Sequence, residues 1–263
     1  MRFNDTYLRR LERRLAADGL PSGIHNTACP AYDLEDILGV FCRATADRRY
    51  PLVIYGFVLN DFGLPHKDRI VGLDYVDYNN GGFVRSPWRQ RLATVNFVTH
   101  VLDRMRLSRV TRQAYLDAFE PPYADSRFAM LADLDRRVRA QGGRLVIVLF
   151  PLLYDFDDYP FAAIHARMAD FCRSHDIPIL DLLPAYSKHR VEDLWAHRAN
   201  HHPNEIAHAI AAEELYAFLR AEGLLDLLRA DKGGAPAIPP ASAENKDKEK
   251  SAGVFPDPKS RLP

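Results

Sequence analysis

The run Leu52-Val53-Ile54-Tyr55-Gly56-Phe57 constrains the fold more than any other stretch of this chain. It is continuously apolar rather than alternating, which predicts a strand buried on both faces, as in a parallel sheet covered by helices. Leu145 to Phe150 is a second apolar strand, and Ile177 to Leu182 a third. Helical spacing fills the intervals. Tyr7, Leu8, Leu11 and Leu15 predict a first helix stopped by Gly19, and Leu34, Ile37, Leu38 and Phe41 a second, with Ile24 to Ala28 as a short strand between them. Asp61 to Pro87 reads as irregular, with Asn79-Asn80-Gly81-Gly82 as a turn signal. Further helices are predicted at 88–106, 110–119 and 124–141, the last ended by Gly142-Gly143. Phe161, Ile164, Met168 and Phe171 mark another. Ile206, Ile210, Ala211, Leu215 and Phe218 mark a final helix starting at Pro203, a good first-turn residue. Strands separated by helices imply parallel βαβ units with right-handed crossovers.

From about Asp231 onward the chain is rich in Pro, Ala, Lys and Glu and has almost no apolar periodicity. Residues 1–230 therefore read as the folded domain and 231–263 as a disordered tail. Lys plus Arg equals Asp plus Glu at 35 each, so no net field points to nucleic acid or an acidic membrane. The three cysteines, Cys29, Cys42 and Cys172, form no metal pair and argue for a reducing compartment. No segment approaches the roughly 18 consecutive apolar residues of a membrane span. The first residues carry no apolar signal region, so the expectation for the chain as written is a cytoplasmic protein.

In open parallel sheets, ligands bind beyond the carboxyl ends of the strands. Asn60-Asp61, Pro151-Leu152 and Cys29-Pro30-Ala31-Tyr32 each follow a predicted strand, and His202 precedes the last helix, so all four are expected on one rim. A histidine at a loop-to-helix junction can act as a general base. An asparagine at a strand end can donate to an oxyanion, a role worth about 3–4 kcal/mol. The plainer readings are a turn asparagine bonded within its own loop and a surface histidine. His197, His201, His202 and His208 cluster enough to raise metal binding, but no HExxH or cysteine pair supplies partners at ligand spacing, so no metal and no cofactor is expected.

Taken together these blocks resemble the SGNH/GDSL hydrolase family. Leu52 to Asp61 is similar to its third block, where a strand leads into a Gly-x-Asn-Asp-type sequence. Asn200-His201-His202-Pro203-Asn204 is similar to its last block, and Asn26 to Tyr32 to its second, with Ala31 in place of the usual glycine. The resemblance implies a flavodoxin-like three-layer α/β/α sandwich with a parallel sheet, and hydrolysis of a small-molecule or acylated substrate at an ester bond. It further implies His202 as general base, Asn200 at the site of the orienting aspartate, Asn60 as oxyanion donor, and Ala31 and Asp61 at the oxyanion and substrate side. Three departures stand beside it. The Gly-Asp-Ser block that should precede the first helix is missing, and with it a strand expected between 24–28 and 52–57. Ser22, the one serine before residue 86, faces the wrong side for the rim. Asn200 replaces a charged aspartate, with Asp193 nine positions before His202 as the nearest substitute. The chain as written is therefore expected to be inactive, through a start codon assigned too far downstream, a fragment, or true loss. The alternative is a non-catalytic binding or scaffold protein on the same fold.

Overall fold

The computed structural model describes residues 5–20, 23–29, 32–63, 65, 94, 111–198 and 200–230. Three parallel strands, β1 (Leu52–Val58), β2 (Arg144–Phe150) and β3 (Ile179–Asp181), form a sheet in the order β1-β2-β3. Leu52 pairs with Arg144 and Val58 with Phe150, so β1 and β2 run in register along their full lengths. The fold is thus mixed α/β around a parallel sheet.

β2 sits in the middle, and six of its seven residues are buried. Its side chains alternate between two cores. Leu145, Ile147 and Leu149 join Tyr55 and Phe57 of β1 in one, against α2 (Leu34–Ala44), α4 (Tyr123–Ala140) and α5 (Ala162–Ser174). Val146, Val148 and Phe150 enter the other, against α1 (Tyr7–Ala17), α7 (Glu205–Ala221) and α8 (Leu225–Ala230). Both faces of the sheet therefore carry helices, as the continuous apolar runs require. Each such side chain contributes roughly 1.5–3 kcal/mol by leaving water. Residues 111–117 form α3, and Leu183–Tyr186 a short α6.

Local signals account for the helix ends. Gly19 at φ +69° closes α1, with the Leu20 N–H bonded to the Leu15 carbonyl. Asp33 caps α2, accepting from the Glu35 and Asp36 amides while the Asp36 carboxylate takes the Asp33 N–H in return.

Three expectations are corrected. Ile24 to Ala28 is irregular, not a strand, so among the described residues β1 has β2 as its neighbour and no strand on its other side. The last helix starts at Glu205 rather than Pro203, because Asn204 provides the stronger cap: its Oδ1 accepts from the Ile206 and Ala207 amides at 2.9 and 3.1 Å. Pro203 and His202 instead belong to β5 (Asn200–Pro203), paired antiparallel with β4 (Trp195–His197) in a two-stranded ribbon that the sequence reading missed. The segments 79–82 and 231–263, and the helix expected at 88–106 apart from a helical Thr94, lie outside the described residues.

The α4–β2 turn allows no side chain at Gly143, where a Cβ would stand 2.4 Å from the Tyr50 carbonyl oxygen. Gly143→Ala is expected to cost roughly 1–3 kcal/mol of stability. The change should read as a lower urea midpoint at an unchanged slope.

Candidate active site

The carboxyl ends of β1 and β2 meet the first turns of α1 and α7 around one residue, Tyr7. Its hydroxyl occupies the space where a Cβ on Gly56 would fall, 2.8 Å away. Its ring lies 5.2 Å from that of Phe150 and stacks at 5.9 Å on His208. The Tyr7 N–H donates to His208 Nδ1 at 3.3 Å. That nitrogen must then be unprotonated, in keeping with a His208 pKa lowered by burial and, second, by Arg10. Burial pushes the Tyr7 phenol up to about 12. The only glycine in β1 is thus the point where the tyrosine passes over the sheet.

Asn60 lies in the 3-10 turn Leu59–Phe62 that leaves β1. Three contacts hold the turn. Asp61 Oδ2 accepts the Val58 N–H at 3.0 Å and the Tyr55 hydroxyl at 3.1 Å, and the Tyr123 hydroxyl donates to the Phe62 carbonyl at 2.8 Å. Gly63 closes it at φ +75°, donating to the Asn60 carbonyl at 2.9 Å. A Cβ there would come within 2.9 Å of the Tyr123 hydroxyl and 3.9 Å of Asp33 Oδ2, so the start of α2 abuts this turn. The Asn60 side chain is exposed and has no hydrogen-bond partner among the described residues. Asp61 points inward and is only 9% exposed. Its oxygen is committed to the turn, which gives it a supporting place rather than one at the surface of the rim. Ala31 and Ser22 lie outside the described residues. Phe62, at the end of the turn, is a core residue stacked on Phe119 at 4.6 Å.

His202 and Asn200 point to the same side of β5, two residues apart. Asn200 Oδ1 lies 2.5 Å from His202 Nδ1 and also accepts the His202 backbone N–H at 3.1 Å. The backbone N–H can only donate, so it holds the amide oxygen toward the ring. Nδ1 must therefore carry a proton, and in the neutral ring this leaves the lone pair on Nε2. Asp193 has a different place, in the 3-10 turn Val191–Leu194, where its carbonyl accepts from Asn204 Nδ2 at 2.8 Å. No hydrogen bond joins it to His202. Asn204 also donates to the Trp195 carbonyl at 3.2 Å, so one side chain caps α7 and closes the ribbon.

A groove of about 840 Å³ opens beyond β2 and β3, lined by residues that include Leu153, Tyr154, Phe156, Lys188, Trp195 and His201. Neither Asn60 nor His202 lines it. The alternation of β5 explains why: His201 stacks on Trp195 at 3.9 Å, on the face opposite to the Asn200–His202 pair. Among the described residues no three His, Cys, Asp or Glu side chains gather to hold a metal ion, and no helix is long and apolar enough to cross a membrane. Compared with protein-family profiles, curated proteins and solved structures, the chain matches none.

The sequence reading missed one polar group at this end of the sheet, the buried chain Asp181–His165–Tyr159. Its signal was present in Ile164-His165, a histidine on the apolar face of a predicted helix.

Asp61 makes stability depend on pH. Burial raises its pKa from 3.8 to about 6, against the Val58 and Tyr55 hydrogen bonds that lower it. The folded state therefore binds the proton more tightly than the unfolded state. Stability should fall as pH rises from about 4 to about 6, with the whole cost, about 2–3 kcal/mol, present above that window. Asp61→Asn keeps an oxygen for both donors and removes the titration. Its stability relative to the parent should be higher at pH 7 than at pH 4 by that amount in urea melts.

Proposed function

We propose that the chain is an SGNH/GDSL-type fold, a three-layer α/β/α sandwich, built for serine-type hydrolysis of small acylated substrates at an ester bond. The observation that carries this reading is the Asn200–His202 pair, whose geometry leaves His202 Nε2 as a free base. Three further facts support it. The exposed Asn60 amide, with no hydrogen-bond partner among the described residues, stands at the carboxyl end of a buried parallel strand. The Asp33 cap of α2, two positions after Ala31 in the sequence, adjoins the Asn60 turn. The first turns of α1 and α7 meet the ends of β1 and β2 at Tyr7.

In this reading His202 Nε2 takes the proton of an attacking serine hydroxyl as the oxygen bonds to the ester carbonyl carbon, and returns it to the leaving alcohol. The carbonyl oxygen becomes an oxyanion held by the Asn60 side-chain amide and the Ala31 backbone N–H. Asp61 stiffens the turn beneath Asn60. A water then attacks the acyl carbon with His202 again as base, and the serine hydroxyl is restored. No serine in the chain is assigned as the nucleophile, so its source lies outside the residues named here. Asn200 keeps the right tautomer but brings no negative charge to the imidazolium, and a charge-to-amide exchange at this place cost about 10⁴ in turnover in a worked triad. That neutral partner favours the second reading, a binding protein that keeps the fold without the chemistry.

The two readings separate by fluorophosphonate labelling and p-nitrophenyl acetate hydrolysis, run on this chain and on one extended upstream of Met1. The hydrolase reading expects neither signal from the chain as it stands. It expects both from the extended chain, with His202→Ala removing them and Asn200→Asp raising turnover by up to about 10⁴. An extended chain that neither labels nor hydrolyses leaves the binding protein as the correct reading.

A further inference from the structure

The chain Asp181–His165–Tyr159 plays no part in the chemistry above, yet its central histidine is more buried than Asn60, Asp61, Asn200 or His202. His165, on α5, is 3% exposed. Its Nδ1 lies 2.9 Å from Asp181 Oδ1 at the end of β3, and its Nε2 lies 3.2 Å from the Tyr159 hydroxyl. With the aspartate as a carboxylate, Nδ1 must donate; in the neutral ring Nε2 then accepts and the tyrosine O–H donates to it. The same tyrosine oxygen accepts the Leu152 N–H at 3.0 Å, and Asp181 Oδ1 also accepts the Leu183 N–H at 2.8 Å. The direction of every proton in the chain is therefore determined. A buried polar chain satisfied at each link is rigid, and removing one link leaves the others short of partners.

The chain ends on the loop that follows β2, and that loop holds the ribbon. The Leu153 carbonyl, one residue beyond the anchored Leu152 amide, accepts from Trp195 Nε1 at 3.1 Å. Trp195 is the first residue of β4 and carries His201 stacked on its indole, with an 11° angle between the rings. His201 lies between Asn200 and His202 in β5. A continuous line of contacts thus runs from the interior of α5 to the strand bearing the exposed imidazole.

We propose that Tyr159 and His165 are positioning residues for His202, acting through the Leu152–Leu153 backbone, the Trp195 indole and the stacked His201. The inference rests on the hydrolase reading for the role given to His202. The mechanical coupling itself does not need turnover, so it can be tested on the full chain whether or not that chain hydrolyses anything.

The test is ¹⁵N NMR of the parent, Tyr159→Phe, Trp195→Phe and the double variant. Tyr159→Phe keeps the ring and removes only the oxygen that links His165 to Leu152. It should speed hydrogen exchange at the Trp195 indole N–H about tenfold or more while leaving the Val148 amide in the centre of β2 unchanged. It should also shift the proton affinity of His202 about threefold to tenfold, read from its imidazole titration. A merely structural role would speed exchange at Val148 in step and leave the His202 midpoint where it was; either result overturns the proposal. Should Tyr159→Phe not fold, His165→Gln cuts the same line one link earlier and is read in the same way. The double variant should move His202 no further than the larger single change, and additive shifts would mean that the two groups act independently. Loss of coupling with intact serine labelling in an extended chain would sink this inference alone, and intact coupling without labelling would sink the hydrolase reading alone.

Discussion

The burial of β2 on both faces is the constraint from which the rest of the structure follows. A strand with Leu145, Ile147 and Leu149 on one side and Val146, Val148 and Phe150 on the other cannot face water anywhere along its length. Two sets of helices must cover it, and parallel neighbours must satisfy its backbone. Parallel pairing places the ends of β1, β2 and β3 at one edge, so the turn at Asn60, the loop after Phe150 and the ribbon after β3 are neighbours by topology. Exposed polar side chains collect at that edge because the strands themselves have no room for them.

At that edge the proposed hydrolase chemistry turns on a distinction between geometry and charge. Asn200 reproduces the geometry of an orienting acceptor: the His202 backbone N–H holds its oxygen toward Nδ1, and the tautomer follows. What an amide cannot supply is a negative charge opposite the imidazolium that forms when Nε2 takes a proton. In the hydrolase reading the proton would therefore have the right acceptor but a less favourable destination, which would slow transfer without redirecting it. This feature is compatible with a slow enzyme and equally with a binding protein that retains the hydrogen bond for its fold.

The legible parts of the fold were those governed by periodicity. Continuous apolar runs marked β1 and β2, 3.6-residue spacing marked α1, α2, α4, α5 and α7, and glycines marked the ends of α1 and α4. Three features were not legible, each for a physical reason. Ile24 to Ala28 has strand-like residues, but strand formation depends on a pairing partner that single-sequence propensity does not contain. The ribbon at 195–203 consists of three- and four-residue strands, too short for any period to register. Pro203 is a good helix starter, but an asparagine one position later satisfies two amides and two carbonyls at once, and a proline offers no competing bond. Asn60 was expected at a strand end and lies in the turn that leaves β1, whereas His202 was expected at a loop-to-helix junction and lies in β5. The inward turn of Asp61 was not legible, because which of two adjacent polar residues points into the core is decided by the Tyr55 hydroxyl beneath the turn.

Asn204 and Trp195 tie these observations together. β5 has two faces with different surroundings: Asn200 and His202 on one, His201 against Trp195 and the groove on the other. A two-stranded ribbon has little stability of its own. Its placement must come from outside, and two side chains provide it, Asn204 through the Asp193 and Trp195 carbonyls and the Trp195 indole through Leu153. The first fixes the ribbon to the helix behind it, the second to the loop from β2. Anything that moves that loop or occupies the groove must therefore press on the strand from the side opposite His202, without touching the imidazole. The packed sheet accordingly has a more direct mechanical hold on the ribbon than on the exposed pair it presents.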